Sequence, residues 1–385
     1  MLKQPVSRQL NLTDYQIDPV RGFLPSENPL RHLPPEFDAW ERISPQISAL
    51  IMTRKVRSFL QNLPVLDADL LTDHRQLERA MLLLTTFAGA YVWGDEFPAK
   101  ILPRSVAIPL CAVAEKLNRP PIVAHASLVL NNWRLLDPTG EIDPDNLDTL
   151  QDFLGGMDEK WFYLATVGVE IAGAPILPLL VELQTTVAAQ DHLQVTALLG
   201  DMKPILDNAY VALERIQEKC APYVFYHRVR PYLAGWEAPG VIYEGVSDEP
   251  RMYSGGSAAQ SSLIQAIDAG LGIEHAHPAS APFLLEMRKY MPPAHREFVE
   301  TLETMSEIRQ FVQANQSEYP LLRDHYNACV QVVDAFRKKH MEIAVRYISH
   351  QARDSGGVNK GTGGTDFVEF LSESRKETRA KLLDE

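Results

Sequence analysis

Residues 326–348 read YNACVQVVDAFRKKHMEIAVRYI. Cys329, Val333, Phe336, Ile343 and Tyr347 recur at steps of three and four, the spacing of one helical face. His340 lies on the same stripe, four after Phe336 and three before Ile343, while Lys338, Lys339 and Glu342 fall elsewhere. The segment predicts an amphipathic helix with a histidine on its dry side. An imidazole placed there carries one donor and one acceptor that must be satisfied. A neighbouring side chain or carbonyl can do this, giving a structural core histidine, or a metal can take the lone pair. Read alone, the helix favours the structural histidine.

The helical period continues outward from this segment. Upstream, the pair Pro292-Pro293 starts a helix through Met305, and 282–290 and 258–271 are helical. Longer helices with polar faces are expected over 182–199 and 202–218. Residues 161–172 are apolar nearly throughout, which indicates a helix buried on several sides. In the first half, Trp40, Ile43 and Ile47 mark one face and 56–63 another. Asp73 is placed to cap a helix carrying Leu77, Met81, Leu84 and Phe87. A proline-rich connection leads to a helix over 110–117, and Pro120-Pro121 start another through Trp133.

Little of the chain alternates with period two, so the fold class is all-α. Residues 1–35 hold six prolines and read as an extended arm lying over the fold. The stretch 136–148, LDPTGEIDPDNLD, is rich in Pro, Gly and Asp and marks a domain boundary. This divides a small N-terminal helical domain, 1–140, from a large C-terminal one, 141–385. Residues 240–256 are expected to be a loop, and 355–365 a glycine-rich loop before a final charged helix from Asp366.

The 385 residues are 45% hydrophobic and 23% charged, with a net charge of −13 and a pI of about 5.4. Such an acidic chain has no electrostatic footprint for nucleic acid or anionic lipid. The N-terminus lacks the apolar core of a signal peptide. The greasiest run, 167–183, is interrupted by Glu170, Pro175 and Pro178, and reads as too short to span a bilayer. Cys111, Cys220 and Cys329 are odd in number and far apart, as reduced thiols in a cytoplasm would be. A cytoplasmic protein without membrane or nucleic-acid partners is expected.

Four constellations bear on chemistry. The loop GTGGT, 361–365, offers backbone N–H groups to an anion but is no P-loop, and read alone it favours a mobile linker. His275 and His277 form an HxH pair with no other ligand clustered nearby, and Pro278 argues for a loop. They read as a solvated surface feature. Glu170, in VGVEIAGA, must find a structural partner or stay protonated. In YVFYHRVRPYLAGW, 223–236, Phe225, Tyr226 and Arg230 lie together, with Pro231 limiting the helix just past Arg230. Aromatic faces beside a guanidinium suit an aromatic amino acid, the fork pairing with its carboxylate. An arginine capping a helix end explains the same residues.

Together these pieces resemble one family, the indoleamine 2,3-dioxygenases. The resemblance rests on MRKYMPPAHREF (287–298), RPYLAGW (230–236), GGSAAQSS (255–262) and KGTGGTDF (360–367). AYVWG (90–94), LPRSVAIP (102–109) and VLNNW (129–133) add to it in the first half. It covers nearly the whole chain, and the combination is specific where each short motif is not.

The resemblance implies a bacterial-type haem enzyme of two all-helical domains, the small one covering a haem pocket held by the large one. Its cofactor is haem b, with His340 as the proximal ligand to the iron and a water or acid orienting the other ring nitrogen. Arg337 and Asp268 match a buried pair stiffening that side. The pocket residues map onto Phe162, Thr166, Phe225 and Arg230, with Ser257 and Ala258 from SGGSA and Thr362 from the GTGGT lid. Thr166 stands where mammalian members carry serine, His125 where they carry tyrosine, and Pro231 replaces a non-proline residue. These departures bear on substrate range more than on reaction type.

The implied reaction inserts both atoms of dioxygen into the indole C2–C3 bond of L-tryptophan, giving N-formylkynurenine, as in the kynurenine route of tryptophan degradation. An external electron donor keeps the iron reduced. Phe162 and Phe225 would pack the indole, Arg230 would hold the carboxylate, and Thr362 with a propionate would meet the ammonium. Thr166 would assist without serving as an essential base. Two alternatives stand beside this: an oxygen-binding haem protein without dioxygenase activity, and a haem oxygenase acting on another indole derivative.

Overall fold

Apolar residues at helical spacing, with prolines at several helix starts, make a structure dominated by helices. The computed structural model describes residues 10–364 and 366–384. Its principal helices are α1 (His74–Trp93), α2 (Arg104–Lys116), α3 (Met157–Gly173), α4 (Ile176–Ala188), α5 (His192–Glu214), α6 (Ser262–Leu271), α7 (Ala281–Arg288), α8 (Pro293–Met305), α9 (Pro320–Ala344) and α10 (Phe367–Arg379).

Local chemistry sets the ends. Asp73 accepts the Gln76 N–H at 2.9 Å and starts α1, as its position predicts. Asp366 accepts from Val368 and Glu369 at the start of α10. Gly272, at φ 67°, closes α6 in the left-handed conformation that glycine tolerates. Pro293 and Pro320 occupy first turns, where no N–H is needed.

Two boundaries differ from the sequence reading. The break expected near residue 200 lies at 189–191, where Asp191 caps α5, and α5 then runs unbroken through Pro204. Helix α2 begins at Arg104 and passes through Pro109 instead of starting at 110. Packing overrides the proline signal at both sites, since Leu206 and Leu110 are buried on those helices.

The expected loop over 240–256 contains strands. β1 (Ile101–Leu102), β2 (Trp236–Tyr243) and β3 (Arg251–Tyr253) form a sheet ordered β1-β2-β3. β1 runs parallel to β2, pairing Ile101 with Ile242, and β3 runs antiparallel, pairing Trp236 with Tyr253. Pro239 and Gly240 interrupt the alternation that would have revealed β2, and the ladder shifts register between Trp236 and Val241.

The described residues gather two apolar cores. The first gathers Trp40, Phe87, Trp133, Phe153 and Tyr243 with Phe225, Ile343 and Tyr347. The second gathers Leu180, Leu199, Phe298, Tyr326 and Val333 with Ile17 and Phe23 of the N-terminal arm. The arm therefore contributes core side chains, and Tyr15 meets the Phe298 ring edge-on at 5.4 Å. Helix α9 supplies Val333 to the second core and Ile343 to the first. Phe336, Arg337 and His340 fall between, where α9 passes from one core to the other.

The consecutive helices α3 and α4 make a 32-residue stretch long and apolar enough by composition to cross a bilayer, more than the interrupted run read from the sequence. Some 61% of its most apolar window is buried inside the protein, as in a core helix pair.

Among the described residues three π-helical turns interrupt the α pattern, at Ala126–Leu130, Phe225–Val229 and Val345–Ser349. Each widens the helix locally. All three contribute side chains to one cavity, through Leu128 and Val129, Phe225, and Tyr347 and Ile348.

Candidate active site

The cavity has a volume of about 270 Å³ and walls that are mostly apolar. One wall is α9 and the π turn after it, presenting Phe336, His340, Ile343 and Tyr347. The His340 ring opens onto this space, and neither nitrogen is hydrogen-bonded among the described residues. Burial, reinforced by the nearby Arg337 charge, lowers its pKa to about 4. At neutral pH the ring is uncharged and keeps a lone pair. The structural histidine favoured by the helix alone would bond a neighbour, and this one has no such bond. A neutral imidazole with a free nitrogen at a cavity wall is a metal ligand's arrangement.

Helix α3 forms a second wall with Phe162, Thr166 and Glu170 on successive turns. Phe162 leans on Phe225 with centroids 4.7 Å apart and planes at 47°, and Phe225 meets Tyr347 at 5.7 Å. The Thr166 hydroxyl donates back to the Phe162 carbonyl at 2.8 Å, which occupies its proton and leaves acceptor capacity. Glu170, 2% exposed, finds the partners its burial demands. Its Oε1 accepts from Ser261 Oγ at 2.6 Å and lies 2.9 Å from His125 Nε2. His125 and Glu170 thus form a hydrogen-bonded pair at the cavity edge.

The segment 254–262 makes a third wall. Ser257 caps a short turn, Ala258–Gln260, with its hydroxyl toward the Ala259 N–H, and Gln260 returns a bond to the Ser257 N–H at 3.3 Å. Gln260 also accepts from the His125 N–H at 3.0 Å, tying this wall to the first π turn. Ser257 and Ala258 both line the cavity. Gly255 passes so close to the Leu233 carbonyl that no Cβ could be fitted there.

The 355–365 loop folds over this wall. Thr362 Oγ1 donates to the Gly256 carbonyl at 2.5 Å, and the Gly255 N–H donates to the Thr362 carbonyl at 3.2 Å. Gly361, Thr362 and Gly363 line the cavity, so the loop is docked and does not behave as a free linker. Thr365 lies outside the described residues.

Arg230 stands outside the lining. Its guanidinium stacks over Tyr226 at 5.3 Å and donates to the Lys360 carbonyl of the loop, while Tyr226 donates to the Val358 carbonyl at 3.0 Å. Burial lowers the Arg230 pKa, and its Nε has no partner among the described residues. Pro231 does not end the helix here, since a short turn continues over Arg230–Leu233. Proline is tolerated because the turn starts afresh after the π segment.

Beside His340, on the same cavity, lies a buried ionic cluster. Arg337 pairs with Asp268 and donates to Thr378 Oγ1 at 2.9 Å. His275 joins them, 3.2 Å from Asp268 and 2.8 Å from Glu377. The surface role read for the HxH pair is therefore wrong for His275, whose side chain is only 8% exposed, while His277 stays part-exposed. Pro278 does make a loop, but the loop folds inward because Glu377 accepts the Ala276 and His277 N–H groups, both at 2.7 Å. Glu377 had no local sequence signal. The apolar face of α10 did have one, with Phe367, Phe370, Leu371 and Ser374 at helical spacing, and all four line the cavity.

A model of the family described as "Indoleamine 2,3-dioxygenase" matches residues 11–381. Indoleamine 2,3-dioxygenase 1 of Rattus norvegicus is 37% identical over 393 residues, covering 97% of this chain and 96% of that protein. Indoleamine 2,3-dioxygenase 2 of Homo sapiens is 32% identical with the same coverage of 97% and 96%. The indoleamine 2,3-dioxygenase of Saccharomyces cerevisiae is 34% identical over 422 residues, covering 96% and 93%. With that family model spanning nearly the whole chain and relatives 32–37% identical over almost all of it, the chain belongs to the indoleamine 2,3-dioxygenase family.

Proposed function

We propose that this protein is a haem-dependent dioxygenase that adds both atoms of dioxygen across the indole C2–C3 bond of L-tryptophan, giving N-formylkynurenine. The observation that carries the reading is His340: a neutral imidazole with no partner among the described residues, facing an apolar cavity in a chain of this family. The residues fit haem b. The bare His340 nitrogen would hold the iron, the walls are mostly apolar, and the Arg337–Asp268 pair lines the same cavity beside it. When bound, haem supplies the oxygen chemistry.

The chain's own residues would bind and orient the substrate. Phe162 and Phe225 offer ring faces to the indole. Arg230 would take the carboxylate by exchanging the Lys360 carbonyl for a charged acceptor, a stronger bond. Thr362 and Ser257 lie on the adjoining wall, placed to meet the ammonium end. Thr166 keeps its proton on the Phe162 carbonyl, so it would offer an acceptor and no acid. The docked loop would exclude water, and confining both reactants is worth several kcal/mol by proximity.

We also propose that residues 1–140 form a lobe capping the pocket of 141–385. His125, Leu128 and Val129 are the lining residues it contributes. A cytoplasmic setting accords with the three free cysteines, and an external electron donor would keep the iron reduced.

Product analysis on haem-loaded protein reduced with ascorbate and a dye tests the function. Formylated product from L-tryptophan is expected. A stable oxygenated spectrum without product would instead favour an oxygen carrier, and turnover of other indoles alone would favour a different substrate.

A further inference from the structure

His275 is held between two carboxylates, one facing each ring nitrogen. Its Nδ1 lies 2.8 Å from Glu377 Oε2 and its Nε2 lies 3.2 Å from Asp268 Oδ2. Hydrogen bonds and nearby cations hold both carboxyls below their usual range despite burial. A neutral imidazole has one N–H, so its other nitrogen would turn a lone pair onto a carboxylate oxygen. Protonated at both nitrogens, the ring makes two charge-assisted bonds.

We propose that His275 is a positioning residue, an imidazolium clamp that fastens the end of α6 and the C-terminal helix α10 to Arg337, one turn from His340, and loosens when it loses its proton. The consequence for haem rests on the function proposed above; the clamp itself does not.

Each element packed against the ring supplies one charge. Helix α6 brings Asp268, α10 brings Glu377, and α9 brings Arg337, whose NH2 lies 3.4 Å from His275 Nε2. On the ring's own segment, Glu274 turns outward to Lys381 at 2.8 Å and His277 faces Glu373 at 4.0 Å. The Arg288–Glu303 pair, 2.7 Å apart, shares a small polar cavity with Asp268 and His275 and is already self-neutralised. Two carboxylates thus oppose two cations. Loss of one proton leaves an uncompensated negative charge, buried beside the helix that carries His340. Helix α10 directly follows the loop that supplies Thr362, so the clamp also anchors the downstream end of that loop.

The direction of titration follows. Burial disfavours the charged ring, and Arg337 adds to this, but the bonds to Asp268 and Glu377 outweigh both and raise its pKa. A raised histidine pKa gives stabilisation that is complete below the ordinary value of about 6.5 and is lost as pH rises through the folded value. Asp268 and Glu377, being lowered, lose their share as pH falls below about 4. The clamp is whole between these limits.

Two measurements on the haem-loaded full chain test it. The first is ring ¹⁵N NMR with His275 assigned through His275→Gln. Both nitrogens are expected to be protonated at pH 6.5, and the titration midpoint to fall in Glu377→Gln, which keeps the backbone acceptor but removes a charge. The second is haem transfer to excess apomyoglobin between pH 6 and 9. The wild-type rate should rise severalfold across the His275 titration, the His275→Gln rate should be fast and flat, and His275→Lys should recover part of the retention at pH 7. A single neutral tautomer at pH 6.5, or an identical pH profile in wild type and His275→Gln, would overturn the proposal. Absence of any Soret band would reject the haem reading, while the NMR result would still decide the clamp.

Discussion

His340 and Arg230 differ in how each meets its surroundings, and their variants should behave differently. No group among the described residues bonds the His340 ring, which opens onto existing space. Its truncation therefore leaves no stranded partner and adds to a cavity already present. His340→Ala should stay folded, with stability within about 1 kcal/mol of wild type, yet purify without a Soret band. Thermal melting and pyridine haemochrome assay read the two halves of that expectation. Arg230 would contribute through its carboxylate bond. Losing a hydrogen bond to a charged group is worth about 1.5–3 kcal/mol, so Arg230→Ala should raise KM for tryptophan roughly 10- to 100-fold with the haem spectrum unchanged. An unaltered KM would reject the carboxylate role.

Elements bring these residues together at crossings that tolerate little. The segment at Gly255 passes Leu233 with space for a hydrogen atom only, and its N–H holds the Thr362 carbonyl. Gly255→Ala must push the two segments apart, at a cost of about 1–3 kcal/mol, and should release the loop. Urea unfolding would measure the first, and faster proteolysis between 355 and 364 the second. The π turns work in the opposite sense. By widening a helix at Phe225 and again before Tyr347, they bring two rings to 5.7 Å at the cavity wall. Such turns follow from packing around the cavity, and no residue in FYHRV or VRYIS announces them.

At the scale of the molecule, the N-terminal arm belongs to the second core. Phe23, 2% exposed, packs against His295 at 4.8 Å and Phe298 at 6.2 Å. Phe23→Ala should cost about 3–5 kcal/mol in equilibrium unfolding, far more than an arm merely lying on the surface would. The helical class, the His340 stripe, the Asp73 cap and the need of Glu170 for a partner were legible in the chain, because periodicity and capping act within a few residues of themselves. The partner's identity was not legible: His125 and Ser261 stand 45 and 91 positions from Glu170. His275 looked like surface beside a proline until Glu377, 102 positions later, supplied the acceptor that draws its loop inward. Short-range spacing thus determined which faces are apolar and where a helix starts. Which buried charge meets which, and that Arg230 turns to the loop and away from the cavity, is decided only when distant segments share one low-dielectric interior, where an unpaired polar group is too costly to leave.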